Sequence, residues 1–248
     1  MRKTEHFLLL TWLLTTGLVV VGAWVIVDQG LLAYLLATDR SYVSLLVIGM
    51  YLLGLGHSFL CTRDLSLELN RIAAAECVLG SGALLAPLRV VDGRLDAGGA
   101  VLPEGFLSGY VRDLIQSRRT GSAGNTETQE AGADLLEAAA LRLRSRHEFG
   151  WYLIDLMLKV GFVGTLIGFI WMLASVSQHE IIDATSMQGI LKEMSFGMST
   201  ALNTTLSSLV AGILLSLPYY LLGRGTEELL ETTVRLTRAE ILPRLAAA

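Results

Sequence analysis

Four stretches of the chain run for about 20 residues or more without Asp, Glu, Lys or Arg: Phe7 to Val27 (21 residues), Ser41 to Leu60 (20), Val160 to Gln178 (19) and Ser195 to Gly223 (29). At a rise of about 1.5 Å per residue, roughly 20 residues of helix cross a hydrocarbon core of roughly 30 Å. The first three runs match a bilayer, and the fourth exceeds it, so it should tilt or project beyond the lipid. Backbone groups in lipid must bond inside their own segment, and the period-two alternation of barrel strands is absent, so all four are expected to be helices. Arg2 and Lys3 precede the first run and Asp28 follows it. That run is longer than a secretory signal core and no small-x-small site comes after it, so it reads as an uncleaved signal anchor.

The polar intervals have patterns of their own. From Thr62 to about Leu79 the apolar positions Leu65, Leu69, Ile72, Ala75 and Leu79 continue the second run as an amphipathic helix. Gly80 to Pro103 is glycine-rich and aperiodic, with Asp92-Gly93 as a candidate hairpin turn. A short helix is expected from Glu104 to about Ser117. Thr120 to Gly132 is small and polar, without an aromatic, and is expected to be a mobile loop. From Asp134, Leu136, Ala139, Ala140 and Leu143 lead through Arg142, Arg144 and Arg146 into the third run, predicting one continuous helix. After the fourth run, Leu230, Val234, Thr237 and Ile241 form an apolar stripe, with Glu231 and Arg235 as an i,i+4 pair and Pro243 near the end. The expected fold is therefore an all-α integral membrane protein. Residues 1–60 hold transmembrane helices one and two, 61–148 a helical cytoplasmic domain with a flexible loop near 120–132, 149–223 helices three and four, and 224–248 a cytoplasmic helix.

Composition agrees: of 248 residues, 52% are hydrophobic and 17% charged, and the mean hydropathy is +0.55. The net charge of −4 leaves no basic excess to hold nucleic acid through counterion release. Of the Lys and Arg residues, 2 precede the first run, 11 lie between the second and third and 4 follow the fourth, against only Arg40 and Lys192 in the two short loops. Those flanking the spans agree with both termini being cytoplasmic. Cys61 and Cys77 then lie on the reducing side and imply neither a disulfide nor a zinc site. His6, His57, His147 and His179 have no metal-binding spacing. Without a nucleophile motif, P-loop or dinucleotide fingerprint, no enzymatic chemistry and no cofactor is expected.

Chemistry concentrates in the last two runs. Gly161, Gly164 and Gly168, at i, i+3 and i+7, form a strip where another backbone can come close, and Thr165 adds a hydroxyl beside it. In the fourth run Ser199, Thr200, Asn203, Thr204, Thr205, Ser207 and Ser208 fall within ten residues. Thr200, Thr204 and Ser208 share one face; Ala201, Thr205, Ser208, Gly212 and Ser216 trace the next. Two small, polar strips indicate a lumen or a tight interface turned from lipid, whereas hydroxyls bonded to their own helix carbonyls would explain any one of them singly. Asp155 and Lys159, an i,i+4 pair at the cytoplasmic entrance of the third run, are an interfacial ion pair or part of an ion exit. The uncharged cores contain no acid that could carry an ion, so a partner must supply one.

These residues resemble a known family. Gly161-Phe-Val-Gly164-Thr165-Leu-Ile-Gly168 looks like the G-x-x-G-T-x-x-G element of the MotA/TolQ/ExbB proton channels, and Ala201-Leu202-Asn203-Thr204-Thr205 resembles their A-L-x-x-T element. The resemblance covers roughly Phe149 to Leu222, and four spans with a large loop after the second are similar to the MotA branch. It implies a homopentameric ring around a dimer of a single-span MotB-, ExbD- or TolR-like partner, whose membrane Asp carries the ion. Ion flow, H⁺ in most of the family and Na⁺ in some, would drive rotation and do mechanical work on a rotor or effector. Thr165 and Thr205 fall on the family's pore-lining threonines; with Asn203, Thr204 and Ser208 they form the expected ion path, and Gly161, Gly164, Gly168, Ala201 and Gly212 the expected close packing. The sequence departs from the pattern where Ser199 or Thr200 stands in place of a frequent acid, and where Pro218 comes about one turn late. The alternative is a membrane scaffold or signalling protein in which the same strips only pack helices.

Overall fold

The computed structural model describes residues 7–30, 33, 39, 41–80, 88–91, 94–97, 100–120, 125–177 and 184–246. The elements are helices α1 (Phe7–Asp28) and α2 (Val43–Gly80), strands β1 (Leu88–Val91), β2 (Arg94–Ala97) and β3 (Ala100–Val101), then helices α3 (Phe106–Thr120), α4 (Asn125–Ser177) and α5 (Ala184–Leu236). A π-helical turn, Thr237–Ile241, leads into α6 (Leu242–Ala246). Three segments are long and apolar enough to cross a membrane, Val43–Gly80, Asp134–Ala174 and Met187–Arg244, and Leu9–Val25 is a shorter apolar helix.

The fold is thus overwhelmingly helical, and it differs from the expected all-helical arrangement first in a small sheet. The glycine-rich segment contains an antiparallel sheet in the order β1-β2-β3, in which Val91 pairs with Arg94. That register leaves two residues to connect the strands, the spacing of a tight hairpin. The Asp92-Gly93 pair that would make the turn lies outside the described residues, as do Arg2, Lys3, His6, Arg40, Gln178 and His179. A second difference concerns the expected loop at Thr120 to Gly132. Thr120 ends α3 and α4 already begins at Asn125, with Gly121 to Gly124 outside the described residues. Glu127, Gln129, Glu130 and Ala131 are strong helix formers, so the low hydrophobicity that argued for a loop does not oppose helix here.

The chain divides into two compact units. The first consists of Thr11–Phe59 and Glu148–Tyr220. Its core includes Val47, Met157, Leu215 and Tyr219, none with any exposed surface, while Leu18, Leu53, Phe162 and Ile213 stand on the outside. Apolar side chains facing out over the length of a helix are what lipid contact requires. In this unit Trp12 Nε1 donates to Ser58 Oγ at 3.1 Å, joining α1 to α2. Asp39 accepts from the Ser41 N–H and hydroxyl at 2.9 and 2.6 Å and from the Ser44 N–H at 2.7 Å, so a carboxylate sits at the start of α2 where the helix dipole favours it.

Most of the second unit is Leu60–His147 and Leu221–Ala248. Of the stripe expected on α2, Leu65, Ile72, Ala75 and Leu79 are buried in its core and Leu69 is half-buried. Glu68 on α2 accepts the Phe106 N–H at 2.8 Å and so satisfies an orphan donor at the start of α3. In the part of α5 that belongs to this unit Leu222, Gly225, Thr226, Leu229, Thr233 and Leu236 are buried, followed by Thr237 and Ile241 of the π-helical turn. The expected stripe was right at Thr237 and Ile241, but Leu230 and Val234, one position away, are half-buried. A strip of Leu, Thr and Ile buries its methyl groups while Thr226 bonds back to the Leu222 carbonyl and Thr233 to that of Leu229, and a reading by apolar type alone misses it. The expected Glu231 partner of Arg235 is also corrected, for Arg235 Nη2 donates to Glu76 Oε1 on α2 at 2.8 Å. Arg244, almost fully buried, donates to the Leu79 carbonyl at 2.9 Å and to Glu240 at 3.0 Å, capping the C-terminal end of α2.

Candidate ion path and helix seam

The glycine strip of α4 meets the hydroxyl strip of α5 in the first unit. A Cβ added at Gly161 would overlap Ser208 Oγ, one at Gly164 would lie 2.7 Å from Thr204 Cβ and Oγ1, and one at Gly168 would lie 2.7 Å from the Ala201 nitrogen and the Gly197 carbonyl oxygen. The approach is reciprocal, since a Cβ at Gly197 would lie 2.8 Å from the Gly168 oxygen and the Met172 nitrogen. Lipid offers no hydrophobic gain for pressing one apolar helix on another, so backbone proximity and dispersion must hold such a pair. Gly161, Gly164 and Gly168 therefore act as a set along one crossing.

This geometry sorts the candidate residues. Thr200, Ala201, Thr204 and Ser208 are buried in the seam. Thr204 Oγ1 donates to the Ala201 carbonyl at 3.0 Å and Ser208 Oγ to that of Thr205 at 2.9 Å, each within its own helix. Thr165, Asn203 and Thr205 are partly exposed. Thr165 follows Gly164, and Thr205 follows Thr204, so the two threonines stand beside the same contact. Thr165 Oγ1 donates to Phe162 O at 2.5 Å, Thr205 Oγ1 to Ala201 O at 3.1 Å, and Asn203 Nδ2 to Ser199 Oγ at 3.4 Å. A hydroxyl donating to its own helix keeps its oxygen lone pairs facing outward, which suits a cation or water but no covalent step. Gly212 is buried, yet a Cβ there would lie 3.4 Å from Leu158, an ordinary contact, so it does not belong to the tight set. Asp155 and Lys159 pair with each other at 2.5 Å on an exposed face. Among the described residues no three His, Cys, Asp or Glu converge as metal ligands.

Residues 108–234, just over half of the chain, match the model of the MotA/TolQ/ExbB proton channel family. The chain belongs to this family. It is a membrane protein of a proton channel family, built on transmembrane helices, and ion transport is the role that membership supports. The matched region contains both motifs, the whole seam and all but the first two residues of α3. No curated protein and no solved structure matches the chain.

Sequence reasoning missed a second polar cluster in the same unit. Tyr219, with no exposed surface, donates its hydroxyl to the Gly54 carbonyl at 3.1 Å, and His57 Nδ1 lies 2.8 Å from the Tyr219 hydroxyl oxygen. The Tyr219 ring lies against Gly150, where a Cβ would overlap it, and the His57 ring is 5.0 Å from that of Phe149. Gly54 is itself closed in, for a Cβ there would lie 2.5 Å from Leu215 Cδ2. The available signal was a histidine inside an uncharged run, which is uncommon enough in a membrane span to mark a position.

Proposed function

We propose that the chain is the ion-conducting stator subunit of an inner-membrane rotary motor. Five copies form a ring around a dimer of a MotB/ExbD/TolR-like protein, and the partner's membrane Asp carries the ion, H⁺ rather than Na⁺. The helix α1 is the first of four spans, and both termini are cytoplasmic. The observation that carries this reading is the arrangement of α4 and α5: a glycine seam fixes the two helices while Thr165, Asn203 and Thr205 remain open beside it. Inside the uncharged runs there is no acid to carry a proton, so a partner bearing one is required. Thr165 and Thr205 line the path, while Thr204 and Ser208 hold the seam. Asp155 and Lys159 stand where an ion would leave towards the cytoplasm, and the charged faces of the second unit are where a rotor or effector would bind.

Replacing Thr205 by Val keeps the shape of the side chain and removes its oxygen. In the complex extracted with its partner and reconstituted in vesicles, T205V should lower ion flux and leave assembly intact. Equal flux from a fully assembled T205V complex would remove Thr205 from the path. A membrane scaffold would show no potential-dependent flux in any variant.

A further inference from the structure

The Asp155–Lys159 pair lies deeper than its position ahead of the third uncharged run suggests. Leu153, two residues before Asp155, packs on Gly54 of α2, where a Cβ would come 2.9 Å from Leu153 Cδ2. Ile154 and Leu158 pack on Gly212 of α5, where a Cβ would come 3.8 and 3.4 Å from them. Gly54 is six residues inside the uncharged run that ends at Leu60, and Gly212 is eleven inside the run that ends at Gly223. At the helical rise per residue, Asp155 is therefore level with its two neighbours roughly 9 to 16 Å into their apolar spans, and Lys159 is one turn further along. Both side chains nevertheless open outward, Lys159 at 70% and Asp155 at 55% exposure. Pairing offsets only part of the desolvation of two ions, so at that depth the pair must face a watery path or protein rather than hydrocarbon. Asp155, Leu158, Phe162 and Thr165 recur at i, i+3, i+7 and i+10, one strip of α4. The surface that holds the acid is thus the surface on which Thr165 stands beside the seam, about 15 Å further along the helix.

We propose that Asp155 is an intramembrane proton acceptor belonging to this chain, which takes the proton released by the partner's acid on its way to the cytoplasm, and that Lys159 holds it ionised until the proton arrives. The proposal rests on the ion-conducting reading above. The step is a proton binding to the Asp155 carboxylate and leaving from it, carboxylate to carboxylic acid and back, with no other bond changed. Lys159 keeps its charge throughout: it stabilises the empty carboxylate, and it loses its counter-ion when the acid becomes neutral. Along α4 the next ionisable side chains are Tyr152 and Glu148, one and two turns before Asp155. The uncharged runs of α2 and α5 bring Tyr51, His57, Tyr219 and Tyr220 to this half of the span, and no Asp, Glu, Lys or Arg.

Neutralising one member leaves the other charge unpaired, so the role is tested by neutralising both. D155N/K159Q keeps both shapes and removes both charges. In proteoliposomes of the complex with its own partner, it should assemble and lose about tenfold or more of the proton flux, because position 155 no longer titrates. K159Q alone keeps the acid and should conduct with its pH dependence moved to higher pH, since a carboxylate without its cation takes up a proton more readily. The infrared difference between acidified and neutral wild-type complex should contain a protonated-carboxyl band that moves in D155E, a variant that keeps the charge. Wild-type flux and pH dependence in D155N/K159Q would make the pair a packing element and overturn the proposal while leaving ion conduction standing. The absence of that band, or a band unchanged in D155E, would overturn it equally. No flux from the wild-type complex would overturn the ion-conducting reading and this proposal with it.

Discussion

The two units hold their helices together by opposite means. In the first, α4 and α5 touch through Gly161, Gly164, Gly168 and Gly197, residues that contribute almost no side chain. In the second, long side chains reach between elements: Arg146 to Asp64 at 2.9 Å, Arg235 to Glu76 at 2.8 Å and Arg244 to the Leu79 carbonyl at 2.9 Å, around a core of Leu79, Val111, Leu229 and Ile241. The difference follows from the solvent each unit is built for. In water, burying apolar area drives packing and charges can remain on the rim. In lipid that drive is gone, so helices adhere only where their backbones come close enough for dispersion to act along the whole crossing. A seam of that kind tolerates little change, whereas a rim ion pair can be lost at small cost.

The largest expected effect is at Gly168. An alanine there meets backbone atoms of α5 that have no rotamer to move, and G168A should lower stability by about 1–3 kcal/mol in an SDS-unfolding titration. G212A, whose new methyl would meet only Leu158, should stay within about 0.5 kcal/mol of wild type. Equal effects at the two positions would mean that the seam is not specific.

Asp39 tests whether a single carboxylate at the start of α2 matters in a unit held mainly by apolar and backbone contacts. Burial raises the pKa of this group, but the hydrogen bonds from Ser41 and Ser44 outweigh it and hold the carboxyl below its ordinary value. The folded state therefore binds this proton less readily than the unfolded chain does. Its stabilisation is complete above the unfolded value of about 3.9 and is lost as pH falls through the lower folded value. D39A should cost about 1 kcal/mol near pH 7, and its difference from wild type should shrink below about pH 4. A difference that grew on acidification would contradict the assignment.

Tyr219 to Phe keeps the ring against Gly150 and removes only the hydroxyl, for an expected loss of about 1 kcal/mol. The smallest effect belongs to the second unit. Arg235 and Glu76 are both exposed, so R235A should change the unfolding midpoint by less than about 0.5 kcal/mol, and added salt should erase even that. A loss as large as that of G168A would place the strength of this unit in its charges rather than its core.

Much of this was legible in the sequence because lipid imposes simple rules. Uncharged runs of the right length gave the apolar helices, and the glycine spacing gave the strip that Thr204 and Ser208 press against. The α2 stripe from Leu65 to Leu79 was equally plain. What could not be read were choices between equivalent surfaces. Thr204 and Thr205 are adjacent and chemically identical, and only the crossing of α4 on α5 turns one into the seam and leaves the other open. The Arg235 partner was misassigned because a local i,i+4 geometry is visible in sequence and a contact with Glu76, far along the chain, is not. Tyr219 and His57 are 162 positions apart, so their hydrogen bond had no local signature.

The central claim is that this chain conducts ions only in a ring around a partner that brings the missing acid. Native mass spectrometry of the complex extracted gently from its own host membrane tests it most directly. The account predicts five copies of this chain with two copies of a single-span protein bearing a membrane Asp. A monomer or dimer without such a partner, under conditions shown to preserve other membrane complexes, would contradict it and leave Thr165 and Thr205 as packing residues.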